Sequence, residues 1–193
     1  RALPARCDMV DRKRAENAVR ELLAAIGEDV TREGLRETPE RVARMLEELT
    51  AGYADRAEEH LGKTFAESGS ALVIERDIAF SSTCEHHLMP FFGRVHIAYV
   101  PDGKVAGLSK LARTVEVYAR RLQLQERMNA QIADAIYRHL APKGVAVVVE
   151  AEHTCMTARG VKKTGSSTVT CAVRGEISDG VVAQLLSYAG ERR

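Results

Sequence analysis

The apolar residues of this 193-residue chain change period several times, and the order of those changes leaves few folds open. Ala15, Ala18, Val19, Leu22, Leu23 and Ile26 recur at three- and four-residue steps, the mark of one apolar helix face, and Gly27 stands where a C-terminal cap belongs. Thr38-Pro39 predicts a second helix with Thr38 as its N-cap; its stripe is Val42, Met45, Leu46 and Leu49. Tyr53 to Gly69 is charged and irregular and reads as a linker with little regular structure. From Ala71 the pattern becomes strand-like. Ala71–Ser81 and Gly93–Val100 are rich in Val, Ile, Phe and Tyr with partial alternation, and Pro101-Asp102-Gly103 marks a turn. Two helical stripes follow, Leu108, Leu111, Ala112, Val115, Ala119 and Leu122, then Met128, Ile132, Ile136 and Leu140, the second stopped by Pro142-Lys143-Gly144. Val145–Val149 and Thr168–Val173 are short β-branched runs, and Ser178 is placed to cap a last helix carrying Val181, Val182, Leu185 and Leu186.

That order predicts an α+β fold: an antiparallel four-stranded sheet with helices on one face, preceded by an N-terminal helical pair. Residues 1–69 form the helical region and linker, and 70–193 form the sheet domain, the whole acting as one functional unit. The open edges of such a sheet need cover, and joining sheets edge to edge between copies is one solution.

With 45% hydrophobic and 28% charged residues the composition is that of a folded globular domain, not a disordered chain. The 28 Lys and Arg against 27 Asp and Glu leave a charge of +1, which argues against a general nucleic-acid binder. A small anion needs only a few local charges. No apolar run approaches the roughly 18–20 residues that span a bilayer, and Arg1–Arg6 lacks the apolar core of a signal peptide, so a cytoplasmic protein without membrane contact is expected. Cys7, Cys84, Cys155 and Cys171 are widely spaced in a chain long enough to build a core without staples, and so read as reduced thiols or metal ligands.

The densest chemistry is Cys84-Glu85-His86-His87, just after the first strand, where a C-x-x-H spacing lets one turn offer a thiolate and an imidazole to the same ion. His153-Thr154-Cys155 stands at the end of a later strand. If the two strand ends are neighbours, Cys84, His87 and Cys155 make a three-ligand site whose fourth tetrahedral position is left to water, as in catalytic zinc. A closed structural site would take its fourth ligand from His86, His153 or Cys171. The plainer alternative is that these cysteines are small buried hydrophobes. Two clusters at strand ends weigh toward the metal, because functional groups favour loops held by rigid elements.

His86 and His153 are spare imidazoles whose ordinary pKa suits acid–base work; hydrogen bonding or packing is their plainer role. His96, mid-strand, reads as structural, and His60 and His139 are given no role. Lys110 and Arg113 open the third helix behind Ser109, read as its N-cap, an arrangement that binds phosphate oxygens. Arg159, Lys162 and Lys163 follow Cys155, with a solvated basic face as the alternative. Neither a P-loop nor a Rossmann glycine turn is present. Gln125-Glu126 puts an amide beside a carboxylate, and a carboxylate can accept two N–H bonds from one edge of guanine; a first-turn Glu that merely suits the helix dipole is the alternative.

Four stretches together, Ser82-Thr83-Cys84-Glu85-His86-His87-Leu88-Met89-Pro90-Phe91, Gly107-Leu108-Ser109-Lys110-Leu111-Ala112-Arg113, Gln123-Leu124-Gln125-Glu126-Arg127 and His153-Thr154-Cys155-Met156-Thr157-Ala158-Arg159-Gly160, resemble GTP cyclohydrolase I. The resemblance runs from about Thr38 to about Gly175 with every motif in order. It implies the tunnelling fold, assembled as a homodecamer with active sites between subunits. It implies zinc, one per subunit, on Cys84, His87 and Cys155, with a zinc-bound water attacking C8 of GTP, and conversion to formate and 7,8-dihydroneopterin triphosphate, the first step toward folates and other pterins. By motif, His153 and His86 would carry protons, and Glu126 with Gln125 would hold the guanine edge. Lys110, Arg113 and Arg159, with Arg41 and Arg44, would neutralise the triphosphate, and Ser109 would contact the ribose or assist ring closure. Cys171 stands where Ser or Thr is usual and Ser167 where a basic or polar residue is frequent; neither touches an expected ligand.

Two other readings compete. Another tunnelling-fold purine or pterin enzyme, such as a nitrile reductase, aldolase or epimerase, lacks the combined Cys84, His87 and Cys155 set. A non-catalytic zinc scaffold leaves His86 and His153 without a purpose. The charge balance also refines: residues 104–127 hold six basic and two acidic groups, a net of +4, and 159–174 hold four basic and no acidic ones.

Overall fold

The computed structural model describes residues 10–67, 69 and 71–190; Cys7 and the stretch Arg1–Arg6 lie outside the described residues. The chain opens with a helical pair, α1 (Arg12–Ala25) and α2 (Thr38–Leu49), as expected. The Asp11 carboxylate caps α1 by accepting from the Arg14 amide at 3.0 Å. Gly27 ends it at φ +86°, a left-handed turn closed by Glu28 N–H donating to Leu23 O. Thr38 is not the N-cap of α2. Its amide already donates to Leu35 O in the preceding turns, so Glu37 holds the cap position and Thr38 is the first helical residue.

The expected linker is also corrected. Tyr53–Gly69 begins at the end of a 3-10 turn (Ala51–Tyr53) and contains α3 (Ala57–Leu61) and β1 (Thr64–Ala66). Ala57 and Leu61, one helical turn apart, are buried in the main core. A clasp secures this region: the Arg121 guanidinium donates to Gly52 O and Val117 O and lies over the rings of Tyr53 and Tyr118.

The remaining elements are β2 (Val73–Cys84), β3 (Pro90–Val100), β4 (Lys104–Ala106), α4 (Leu108–Ala119), β5 (Leu122–Gln123), α5 (Gln125–Leu140), β6 (Gly144–His153), α6 (Thr154–Thr157), β7 (Thr168–Gly175) and α7 (Asp179–Tyr188). The four long strands β2, β3, β6 and β7 pair antiparallel in that order, as expected. Two-residue β5 adds a fifth, parallel to the end of β2 (Cys84 opposite Gln123), and β1 pairs with β4 in a separate ribbon.

Helices α4 and α5 cover one face, setting Leu111, Val115, Met128, Ile132 and Ile136 against Val95, Ile97, Tyr99, Val145, Val147 and Val149. Each fully buried side chain of this size contributes about 1.5–3 kcal/mol. The helices are not confined to that face. Leu185 and Ala189, in and just after α7, are buried with Ala98, Ala146 and Val148 on the opposite one. The reason is visible in β3 and β6, whose apolar runs Val95–Tyr99 and Val145–Val149 are buried continuously instead of on alternate residues, as in a sheet covered on both sides. Ser178 caps α7 as expected. Beside the site, β3 and β6 approach so closely that a Cβ on Gly93 would lie 1.8 Å from Glu150 O. No helix among the described residues is long and apolar enough to cross a membrane.

His96 is structural, as its mid-strand position suggested. It is fully buried, and its Nδ1 accepts from the Asp77 amide at 3.2 Å, where β2 breaks register and Asp77 takes φ +61°. Burial holds its pKa below the ordinary value, opposed by Asp77 and Glu150. The folded ring resists a proton that the unfolded chain accepts, so stability is full above the unfolded pKa near 6.5 and declines as pH falls below it. Melting curves across that range are expected to show Tm falling with acid, and His96→Gln, which keeps an acceptor for Asp77, is expected to flatten the slope. An unchanged slope would assign the acid sensitivity to other groups.

Candidate active site

Cys84 is the last residue of β2, and a tight turn carries the chain to β3. Cys84 N–H donates to Met89 O, Leu88 N–H returns to Cys84 O, and Leu88 takes φ +54°. That turn swings His87 back, bringing its Nδ1 to 4.0 Å from Cys84 Sγ. Cys155 enters from one-turn α6, which Thr154 fastens to β3 by donating to Pro90 O at 2.6 Å. The ligand atoms of Cys84, His87 and Cys155 all lie within 4.8 Å of one another. Ligands on tetrahedral zinc stand about 3.5–3.8 Å apart by its Zn–S and Zn–N bond lengths, so a small contraction completes the set.

The donor chemistry agrees with a divalent cation. Burial, and then the neighbouring Cys84 sulfur, push the Cys155 thiol above its ordinary pKa, with Arg159 pulling the other way. Two adjacent thiolates repel, and a bound cation relieves that repulsion. His86, His153 and Cys171 do not join the cluster, and Cys171 is exposed on β7. The arrangement is the open, three-ligand one. Buried Cys84, half-buried Cys155 and exposed His87 leave one side accessible.

His153 ends β6 opposite Phe91, and the two rings stack at 4.6 Å and 8°. Its Nε2 lies 2.8 Å from Gln125 Oε1. Burial lowers its pKa, with Glu126 opposing, so the ring is neutral near neutral pH. Cys84, His86, His87, Glu126, His153 and Cys155 share one cleft of about 220 Å³.

Gln125 departs from expectation. It lines the cleft, but its amide is committed inside the protein: Nε2 donates to Val149 O (3.0 Å), Thr168 O (2.9 Å) and Thr170 Oγ1 (3.3 Å). The side chain is not free to meet a guanine edge beside exposed Glu126. Ser109 is likewise not a cap. Gly107 holds that position, and Ser109 lies exposed in the first turn of α4.

Lys110 and Arg113 on α4 do not line this cleft. Arg41 and Arg44 are exposed on α2, paired one turn back with Glu37 and Glu40. Arg159 is exposed just beyond α6. Within one chain the metal ligands and imidazoles converge, and most of the candidate phosphate cations do not.

Two contributors were missed from the sequence. Glu85 pairs with Arg127 on α5, and its amide donates to Gln123 O, so the ligand loop is pinned to β5 and α5. Phe91 supplies the surface on which His153 stacks. Both sit in the motif stretches, but only strand register reveals their partners.

Fold and site together define an α+β protein, its antiparallel sheet packed by helices on both faces, with an open cluster of two cysteines and one histidine that could hold a metal ion. Comparison with known proteins makes the assignment particular. The family described as GTP cyclohydrolase I matches residues 15–187. A protein of Clostridium kluyveri named GTP cyclohydrolase 1 is 59% identical over 166 residues, covering 86% of this chain and 90% of its own. Those of Carboxydothermus hydrogenoformans (57% over 182 residues, 94% and 95% covered) and Streptococcus pneumoniae (55% over 166 residues, 86% and 90%) carry the same name. The chain belongs to the GTP cyclohydrolase I family.

Proposed function

We propose that this protein converts GTP and water to formate and 7,8-dihydroneopterin triphosphate, the first step of pterin synthesis. The observation that carries the reading is the convergence of Cys84, His87 and Cys155 with His153 in one cleft. Zinc held by those three would supply the Lewis acidity that makes water a nucleophile near neutral pH. Purine C8 is a weak electrophile, which is why such help is needed. His153, with His86 at the same cleft, moves protons as the imidazole ring opens and formate leaves. Glu126 accepts from the N1–H and 2-amino group of guanine; adenine offers neither donor at that edge, so ATP is rejected by an unpaired carboxylate.

Lys110, Arg113, Arg159, Arg41 and Arg44 neutralise the triphosphate, and Ser109 contacts the ribose. The exposed positions of Ser109, Arg113, Arg41 and Arg44, away from this chain's cleft, support a site completed by neighbouring copies in a homodecamer. The edge strand β7, half-buried on one face only, offers a place for sheets to join. In this scheme residues 70–193 carry the catalytic centre and 1–69 bring Arg41 and Arg44 to a neighbour's triphosphate.

The test is incubation of the zinc-loaded protein with GTP, then oxidation and detection of the fluorescent pterin together with released formate. Both products are expected with GTP, and neither with ATP or after chelation of the metal. No pterin from zinc-replete protein would turn the reading to another tunnelling-fold enzyme.

A further inference from the structure

Gln125 is buried, polar and unused in the function proposed above, yet it touches the ring on which the proton transfers rest. Its amide has a single tenable orientation. One end faces three acceptors, Val149 O, Thr168 O and Thr170 Oγ1, so that end must be the NH2 group. The other end is then the carbonyl oxygen, 2.8 Å from His153 Nε2. A carbonyl cannot donate, so the imidazole nitrogen facing it carries the hydrogen. A neutral imidazole has one N–H, which leaves the lone pair on Nδ1.

We propose that Gln125 is a positioning residue that fixes His153 in its Nε2–H tautomer, leaving Nδ1 as the nitrogen with the lone pair. The stack of His153 on Phe91 holds the ring plane, and the Gln125 carbonyl decides which nitrogen is free. The anchor is rigid because β6 and β7 supply all three acceptors through backbone or hydroxyl oxygens at their paired register, Val149 opposite Thr170. Gln125 therefore contributes through His153 and not through contact with a purine. The inference rests on the acid–base reading of His153, but the tautomer itself is measurable without any turnover.

The experiment is magic-angle-spinning ¹⁵N spectroscopy of histidine-labelled, zinc-loaded protein, with His153→Asn to assign the ring, alongside steady-state kinetics and zinc content of Gln125→Met and Gln125→Glu. Wild type is expected to show a protonated Nε2 and a bare Nδ1. Gln125→Met is expected to lose that preference and to drop kcat about 10²-fold or more, within the range general acid–base catalysis supplies, with KM for GTP and bound zinc unchanged. Gln125→Glu turns an oxygen toward the Val149 and Thr168 carbonyls where the NH2 group stood, so it is expected to take up a proton, its O–H donating to them and its C=O accepting from Nε2–H, and to keep the tautomer and restore part of kcat. A bare Nε2 in wild type overturns the proposal. So does a Gln125→Met protein with raised KM and unchanged kcat, the behaviour of a guanine contact. If Gln125→Met fails to fold, the wild-type spectrum and Gln125→Glu decide. If wild type turns over no GTP, the functional reading fails while the spectrum still tests the tautomer.

Discussion

Cys155→Ser is expected to empty the metal site and abolish turnover. Serine matches the volume of cysteine, and Cys155 is only half-buried in a one-turn helix, so the fold should survive the change. The donor does not survive: a hydroxyl has neither the soft sulfur nor the accessible anion that zinc selects. With two ligands left, bound zinc should fall from one per chain toward none. Pterin formation should fall by more than the about 10- to 100-fold that outer hydrogen-bond partners of a metal site typically cost. Cys171→Ser is the control, since that thiol is exposed on β7 and away from the cluster. Stoichiometric zinc in purified Cys155→Ser protein would sink the ligand assignment.

His153→Ala is expected to behave differently. The imidazole is outside the ligand set, so zinc should remain, and the guanine contact assigned to Glu126 should keep GTP binding near wild type. Formate release should drop about 10²–10⁴-fold, the usual contribution of a positioned acid–base group. The variant also leaves Gln125 Oε1 without its partner and one face of Phe91 uncovered, so a modest loss of Tm accompanies the kinetic effect. Unchanged formate release would reduce His153 to a packing role.

The fold was legible wherever an element carried its own period. Both opening helices, the four long strands and the helices α4 and α5 follow from local spacing. Helix α3 does not, because a five-residue element with Ala57 and Leu61 among Glu58, Glu59 and His60 shows only two apolar positions. The capping role given to Thr38 failed because turns that begin before it set the helical register. The second helix layer was missed because continuous burial of β3 and β6 looks, in sequence, like any apolar run. The site divides the same way. Cys84 and His87 are separated by only two residues and Cys155 stands at a strand end, so the ligand set was readable. Gln125 was assigned to guanine because its neighbour Glu126 suggests it, whereas its true partners are carbonyls and a hydroxyl on β6 and β7, many residues downstream.

Strand β7 alternates between half-buried Thr168, Thr170, Ala172 and Arg174 and exposed Val169, Cys171 and Val173. It also borders the sheet, with no strand beyond it among the described residues. A subunit held apart from its copies therefore displays a ribbon of unpaired amides beside two valines, the surface on which misassembled and aggregated chains also grow. Orderly association and precipitation draw on the same strand, and the contest between them is decided by how soon a correct neighbour arrives. Yield on refolding should depend on protein concentration in both directions, starved of partners when dilute and overtaken by aggregates when crowded.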